Sequence, residues 1–271
     1  MCNRDLMLVL VRIGAGFLLY WDPHVSVIKS LRSTVCGLQS YGNNKLKARM
    51  MNVVAIDGPA ASGKSTVARR VAEATGALYV DSGALYRAVA WKVLESGIDP
   101  QDSDAVAALV PAIQMRFFVD GLAVGFAIDD QRPGAALRTE RVNQAVSPVA
   151  ANSVVRAHVT GWLRDMTALG ALVMEGRDIG TVVFPAAPFK FYLDASPEVR
   201  AQRRHAEMAE AEALTVDAVG ASLSRRDQID SRRATAPLAT AADAISVDSS
   251  AMGVDEVVAC VLETVRKGGR A

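Results

Sequence analysis

The chain has 271 residues, 51% of them apolar, which is enough for one large core or for a core with one inserted subdomain. Its formal net charge is +1, but residues 1–50 hold seven of the 30 Lys and Arg residues and only two of the 29 Asp and Glu residues, so the rest of the chain is slightly acidic. This balance excludes the globally basic surface that binds polymeric nucleic acid, whereas local arginine clusters remain suited to small anionic ligands.

The cysteines and histidines show no pattern of a structural or catalytic site. Cys2, Cys36 and Cys260 are odd in number and include no C-x-x-C pair, and the three histidines lack metal-ligand spacing. We therefore expect neither a disulfide framework nor a zinc site, and a reducing, cytoplasmic location is the simplest interpretation.

Residues 1–50 differ in character from the rest of the chain. The apolar stretch from Leu6 to Trp21 is short and is interrupted by Arg12, so we expect neither a membrane span nor a signal peptide. Met51 stands directly before the first clear strand pattern and is the expected functional start. Residues 1–50 would then be an upstream-start artefact or a disordered extension, and a targeting segment is the alternative.

A phosphate-binding loop follows that first strand. Residues 53–57 read VVAID, residues 58–66 read GPAASGKST, and an amphipathic pattern then runs to Gly76. This order of strand, glycine-rich turn and helix is what the Walker A pattern requires, and it predicts nucleotide binding. The expected ATP-binding residues are Gly58, Pro59, Ala60, Ala61, Ser62, Gly63, Lys64, Ser65 and Thr66.

The residue types of this loop, hereafter the P-loop (residues 58–66), suit phosphate chemistry. Gly58 and Gly63 permit backbone turns that a Cβ would obstruct, so that N–H groups can point at phosphate oxygens. Lys64 supplies a positive charge to the β- and γ-phosphates, and Ser65 offers a hydroxyl for Mg²⁺. No acidic Walker B residue is evident, so we expect the nucleotide, Ser65 and water to hold Mg²⁺.

The elements after the P-loop helix alternate between strand and helix, with one exception. A strand is predicted at residues 77–80 and a helix from there to Gly97, whereas Asp120-Gly121 between two β-rich runs predicts a hairpin. This hairpin interrupts the α/β alternation and is interpreted as an insertion. Helical periodicity returns over residues 137–169, with a break expected at Pro148.

Three further strands and a last helix complete the pattern. Strands are predicted at residues 171–174, 189–193 and 244–247, which indicates a mostly parallel sheet with its ligands at the strands' carboxyl ends. An amphipathic helix closes the chain. Its expected inner face comprises Val254, Val257, Val258, Val261, Leu262 and Val265.

Several motifs, in order, carry a family resemblance. DSGALYR at residues 81–87, EGRDIGTVVFP at 175–185 and RRDQIDSRR at 225–233 resemble the bacterial cytidylate kinase family, and the likeness covers about residues 51–271. The resemblance implies an α/β fold: a P-loop parallel-sheet core flanked by helices, a nucleoside-monophosphate (NMP) binding domain with a small antiparallel insertion, and a short helical lid. It also implies Mg²⁺-dependent transfer of the γ-phosphoryl group of ATP to CMP or dCMP.

The resemblance divides residues 51–271 into three regions. The core would comprise residues 51–82, 171–195 and 235–271, the NMP-binding region with its insertion residues 83–170, and the lid about residues 196–234. We expect small-molecule partners only, ATP and CMP or dCMP, with neither a membrane nor a nucleic acid polymer as partner, and a monomer.

The resemblance also assigns roles to single residues. The implied substrate-binding residues are Ser82, Tyr86, Arg87, Ser147, Arg156, Arg177, Asp178, Arg226, Asp230 and Arg233. The implied catalytic residues are Lys64, Arg177, Arg203, Arg204 and Arg233, among which Arg203 and Arg204 would be lid arginines that close over ATP. Arginine suits these positions because its planar guanidinium binds phosphate oxygens in pairs and keeps its charge.

The base would be read by hydrogen bonding. Asp178 can accept from the cytosine N4 amino group, Arg156 can donate to N3 and O2, and Ser147 can add a hydroxyl. Each assignment has a plainer alternative: Arg203 and Arg204 as exposed helix residues, Tyr86 as a packing aromatic, and Asp178 as a structural partner of a neighbouring arginine.

Two rival functions use the same P-loop. Another nucleoside-monophosphate or small-metabolite kinase would share the core and differ in the acceptor pocket. A GTPase-type switch would need an Asn-Lys-x-Asp motif after the P-loop, but the only Asn-Lys pair, Asn44-Lys45, precedes it. The first rival is therefore the stronger one.

Overall fold

The computed structural model describes residues 11–13, 16–18, 52–208 and 215–268. The chain divides into two compact units, Met1–Asn44 and Lys45–Ala271. In the first unit, β1 (Val11–Ile13) pairs with β2 (Gly16–Leu18) in an antiparallel hairpin. Most of residues 1–50 and the expected start at Met51 lie outside the described residues, so the interpretation of this segment stays a prediction.

The second unit is built on a seven-stranded sheet. In chain order the strands are β3 (Val53–Asp57), β4 (Leu78–Asp81), β5 (Met115–Asp120), β6 (Ala123–Ile128), β7 (Leu172–Gly176), β8 (Phe189–Asp194) and β9 (Ile245–Asp248). Their order across the sheet is β5-β6-β4-β7-β3-β8-β9, and only the β5–β6 pair is antiparallel. Every residue of β3 and β7 is buried, as expected for central strands covered on both faces.

The helices pack on both faces of this sheet. They are α1 (Lys64–Thr75), α2 (Ser82–Glu95), α3 (Ser103–Leu109), α4 (Glu140–Ala151), α5 (Ser153–Asp165), α6 (Pro197–Glu207), α7 (Val216–Arg232) and α8 (Val254–Gly268). Val53 and Ala55 belong to the core under α2, α4 and α5, whereas Val54 and Ile56 belong to the core under α1 and α8. Successive side chains of a strand point to opposite faces, so one strand serves two cores. The predicted fold class is confirmed.

The predicted hairpin is present at Asp120-Gly121, and it extends the main sheet. Tyr79 of β4 pairs with Ala123 of β6 in parallel, and the Tyr79 N–H donates to the carbonyl of Leu122 at 2.7 Å. The antiparallel segment therefore forms one edge of the sheet. It joins the sheet through β6, whose backbone groups on the side away from β5 pair with β4.

Two expectations about the helices were wrong. Helix α4 continues through Pro148 and ends at Ala151, because Asn152 leaves the helical region and its side chain accepts from the N–H groups of Val154 and Val155. The capping asparagine, not the proline, sets the break. In α8 the first position of the expected inner face, Val254, is 42% exposed, whereas Val257, Val258 and Val261 are buried. None of the helices in the described residues is both long and apolar enough to cross a bilayer.

Candidate active site

A cleft opens where the carboxyl ends of β3, β4 and β7 meet. These ends lead into the P-loop, into Asp81-Ser82 and into the turn with Arg177 and Asp178. The predicted site residues that line the cleft are Ala60, Ala61, Gly63, Lys64, Ser65, Thr66, Ser82, Tyr86, Arg87, Ser147, Arg156, Arg177, Asp178, Arg204, Arg226, Asp230 and Arg233. Gly58, Pro59, Ser62 and Arg203 are not among its lining residues.

The glycines of the P-loop are required by its conformation and packing. Gly58 has φ +147°, and a Cβ there would lie 1.9 Å from the carbonyl oxygen of Leu193. Gly63 has φ +89° and caps the N-terminus of α1 without a side-chain hydrogen bond. The loop therefore packs tightly against the end of β8 and presents the N-terminus of α1 to the cleft, where N–H groups favour an anion.

Lys64 is buried at the centre of the P-loop. Its ammonium donates to the carbonyl of Pro59 and to the hydroxyl of Ser62, the latter at 3.3 Å. Burial, and secondly the charge of Arg177, lower the pKa of Lys64 to about 7. A ligand with several negative charges would reverse the second effect and restore the charged ammonium.

Glu175 is a candidate site residue that the sequence patterns did not indicate. It is buried at the end of β7, its carboxylate accepts from the Tyr79 hydroxyl at 2.5 Å, and the Ser65 side chain lies near enough to lower its pKa. Burial, and secondly the charge of Asp81, raise its pKa. Glu175 stands at the end of β7, the strand beside β3, which is the position of a Walker B carboxylate. The sequence feature that could have indicated this role is the apolar run Leu172–Met174 directly before it.

Ser65 and Glu175 together fit Mg²⁺. A hydroxyl and a carboxylate are the hard oxygen donors that this ion prefers, and both residues line the cleft. Within the parts of the chain that the structure describes, there is no cluster of three or more His, Cys, Asp or Glu residues suited to a metal. Such a sparse protein ligand set matches an ion that is held largely by substrate phosphates.

Asp57, at the end of β3, joins the P-loop strand to the turn that carries Arg177 and Asp178. Its carboxylate accepts from the N–H groups of Ile179 at 2.8 Å and Gly180 at 2.7 Å, within the π-helical turn Ile179–Val183. Burial raises the pKa of Asp57 to about 6 despite these two hydrogen bonds. The contacts fix the position of the turn relative to the P-loop.

One end of the cleft carries a buried acid and two arginines. Arg156 and Asp178, 2% and 3% exposed, pair at 2.5 Å, and Arg233 lies 3.7 Å from the other oxygen of Asp178. The Arg156 guanidinium stacks over Tyr86 at 5.1 Å from the ring centroid. Among the described residues here, three buried polar atoms lack hydrogen-bond partners: the hydroxyl of Tyr86, Nε of Arg156 and one terminal nitrogen of Arg233. A polar ligand is the natural partner for them.

Between this end and the P-loop, arginines converge. Arg177 donates to Asp230 at 3.1 Å and to the carbonyl of Gly58 at 3.1 Å. Burial, and then the charges of Arg177 and Arg87, lower the pKa of Arg226 to about 10. Burial also lowers the pKa of Arg87, and the positive charge of Arg177 adds to this lowering. Three mutually repelling guanidinium groups are suited to an anion, because a bound phosphate would offset their repulsion.

The remaining predicted residues occupy distinct places. The Ser82 hydroxyl donates to the carbonyl of Glu175 at 2.6 Å, which joins β4 to β7. Arg204 lines the cleft and pairs with Glu207 at 3.2 Å. Arg203 instead donates to Ser249 at 2.7 and 3.0 Å. Arg138, which no motif indicated, is exposed at the rim of the cleft.

The chain is similar to known proteins of one family. The family profile described as cytidylate kinase matches residues 54–267. A cytidylate kinase of Mycobacterium leprae is 45% identical over 79% of this chain and 96% of its own length. A cytidylate kinase of Shouchella clausii is 42% identical over 80% of this chain and 97% of its own length. The chain therefore belongs to the cytidylate kinase family.

Proposed function

We propose that this chain transfers the γ-phosphoryl group of ATP to CMP or dCMP and releases ADP with CDP or dCDP. The observation that carries the proposal is one continuous cleft with a P-loop at one end, converging arginines in the middle and a buried acid–arginine pair at the other. These three parts match a nucleoside triphosphate, an acceptor phosphate and a base.

The donor binds at the P-loop. The N-terminus of α1 and the Lys64 ammonium hold the β- and γ-phosphates, and Arg204 approaches them from α6. Ser65 and Glu175 hold Mg²⁺, which when bound neutralises phosphate charge. Arg203 donates to Ser249, and through its contact with the Ser62 carbonyl it supports the P-loop; its closing over ATP as a lid arginine stays a prediction.

The acceptor phosphate binds among Arg87, Arg177 and Arg226, and its ribose faces Asp230. An ionised phosphate oxygen is already a nucleophile, so the transfer needs no separate protein base. The loose transition state spreads negative charge over the γ-phosphoryl oxygens, and these fixed guanidinium groups stabilise that charge without reorganisation. Arg233 supplies a further positive charge from the end of α7.

The base binds at the buried pair. One oxygen of Asp178 accepts from Arg156, and the other accepts from the N4 amino group of cytosine. Arg156 and the Ser147 hydroxyl donate to the N3 and O2 side, and Tyr86 borders the ring. Uracil would place its O4 against the Asp178 carboxylate with no proton between them, which costs about 1–3 kcal/mol.

The test is an ADP-release assay with ATP, Mg²⁺ and a panel of nucleoside monophosphates. We expect CMP and dCMP to give the highest kcat/KM by at least tenfold over UMP, AMP and GMP. A higher value for AMP, GMP or UMP would assign the chain to the rival class of nucleoside-monophosphate kinases. The expected monomeric state and cytoplasmic location stay predictions.

A further inference from the structure

The carbonyl groups of the P-loop are held by basic side chains. Four carbonyl oxygens of the P-loop each lie within hydrogen-bond distance of a basic side chain. Arg177 donates to Gly58, Lys64 to Pro59, Arg200 to Ala60 and Arg203 to Ser62. Lys64 and Arg177 line the cleft, whereas Arg200 does not and has no part in the function proposed above.

Arg200 acts on the P-loop together with Asp227. The Arg200 guanidinium donates to the carbonyl of Ala60 at 3.3 Å, and the Asp227 carboxylate accepts from the N–H of Ala60 at 3.4 Å. Arg200 and Asp227 also pair with each other, and Arg200 donates to the carbonyl of Ala195 at 3.1 Å. We call this arrangement the Ala60 clasp, because both polar groups of one P-loop residue are bound by one ion pair.

The Ala60 clasp is buried and is supported by apolar contacts. The side chains of Arg200 and Asp227 are 10% and 16% exposed, and Ala60 packs with Val219 and Leu223 of α7. A buried ion pair of this kind fixes the relative positions of its neighbours more than it stabilises the fold, because the cost of removing two charges from water offsets their attraction. Its net charge is zero, so it adds little electrostatic attraction for phosphate.

The Ala60 clasp connects three elements that line the proposed sites for ATP and for the acceptor. Arg200 lies on α6, one turn before Arg204. Asp227 lies on α7, adjacent to Arg226 and one turn before Asp230. Ala60 lies in the P-loop. Because helices α6 and α7 are rigid over one turn, the clasp fixes the ATP site relative to the side chains that hold the acceptor phosphate and ribose.

We propose that Arg200 and Asp227 are positioning residues that set the distance and alignment between the bound γ-phosphoryl group and the acceptor phosphate. The inference rests on the proposed function. Phosphoryl transfer requires the attacking and leaving oxygens to be in line, and a misplacement of about 1 Å can lower the rate about 100-fold. Loss of the clasp therefore lowers kcat while each substrate still binds at its own half of the cleft.

The test compares Arg200→Gln, Asp227→Asn and the double variant with the unmodified chain. We expect each single variant to lower kcat about 10- to 100-fold. The Kd of CMP alone and of a non-hydrolysable ATP analogue alone should change little. The double variant should be no worse than either single variant, because the two residues act as one unit. Additive losses, or an unchanged kcat in both single variants, would overturn the proposal.

The controls separate positioning from stability. Asp243→Asn removes the partner of the buried Lys190, whose ammonium donates at 2.6 and 2.8 Å, on a part of the fold that does not line the cleft. It should lower Tm and leave kcat unchanged. If Arg200→Gln does not fold, Arg200→Lys keeps the charge but lacks the planar fork that spans Ala60 and Asp227, and it should still lose kcat. Full kcat in Arg200→Lys would overturn the proposal.

The same experiment keeps this inference distinct from the proposed function. If the unmodified chain does not phosphorylate CMP, the proposed function fails. If it does, and the clasp variants turn over at the unmodified rate with only a lower Tm, the function stands and Arg200 and Asp227 are structural residues.

Discussion

The two ends of the cleft are built in different ways. The end proposed for ATP comes from nine consecutive residues, 58–66, six of which line the cleft at the N-terminus of α1, where backbone N–H groups face it. The acceptor end draws its side chains from separate segments between Ser82 and Arg233, and its binding groups are mostly charged side chains. A site made from local backbone can be identified from one short motif, whereas a site made from converging side chains depends on the whole fold.

The two ends also differ in how they hold charge. At the ATP end, burial lowers the pKa of Lys64 to about 7, so its charge responds to pH near neutrality. At the acceptor end, the pKa of Arg226 falls only to about 10, so this guanidinium stays charged at neutral pH. Binding of ATP should therefore be coupled to proton uptake. Binding of the acceptor phosphate at Arg226 should not change the number of bound protons.

The largest effect should come from the ATP end. Lys64→Ala removes the cation that offsets charge on the β- and γ-phosphates, and we expect kcat/KM for ATP to fall about 100- to 1,000-fold or more. The variant should fold, because the substitution also removes a desolvated charge. Circular dichroism and Tm provide the folding control. Activity equal to the unmodified chain would contradict the assignment of the P-loop.

A smaller effect should come from the carboxylate beside the P-loop. Glu175→Gln keeps the shape and the Tyr79 contact but loses the charge that would attract Mg²⁺. We expect an about 10- to 100-fold weaker response to Mg²⁺, at least the loss typical of removing a group that only supports a metal ligand. Mn²⁺ binding in the presence of an ATP analogue, followed by electron paramagnetic resonance, checks this without turnover. Tyr79→Phe, which keeps the Glu175 charge, should lose less, and equal Mn²⁺ affinity in Glu175→Gln would exclude this carboxylate from the metal site.

The smallest expected effect is the uptake of protons when ATP binds. Between pH 7 and pH 9 a large part of Lys64 is neutral in the free protein, and ATP raises its pKa again, so ATP binding should take up as much as about one proton per site. Uptake should fade below pH 6, where Lys64 is already charged. Calorimetry of an ATP analogue in buffers of different ionisation enthalpy measures it, with CMP as the comparison ligand. Equal uptake for both ligands would contradict the contrast between the two ends.

The sequence predicts the elements that follow short local rules and misses those that depend on tertiary contacts. The strand, loop and helix at residues 53–75 and the hairpin at Asp120-Gly121 were predicted because apolar periodicity and turn chemistry are local. The end of α4 was placed at Pro148 because proline is the stronger local signal, yet the side-chain cap at Asn152 decided the boundary.

The candidate site divides in the same way. Motifs and the family resemblance indicated the residues that contact the substrates in the proposed function. Glu175 was missed because a lone acid after an apolar run does not match the Asp-Glu form of the Walker B pattern. Asp57, Arg200 and Asp227 were missed because they act on backbone groups of distant segments, and no spacing in the chain shows such contacts.

The central claim about the acceptor end is that Asp178 reads the cytosine amino group, and Asp178→Asn tests it most directly. The amide keeps the volume of the carboxylate but can turn its NH₂ group toward the O4 of uracil. The measurement is kcat/KM for CMP and for UMP in the unmodified chain and in a folded Asp178→Asn variant, with Asp243→Asn as the control for loss of an ion pair away from the cleft. We predict that the CMP/UMP ratio falls about tenfold or more, with a lower value for CMP and a higher one for UMP. An unchanged ratio would contradict the claim, and a matching loss for both substrates with a lower Tm would make Asp178 a structural partner of Arg156.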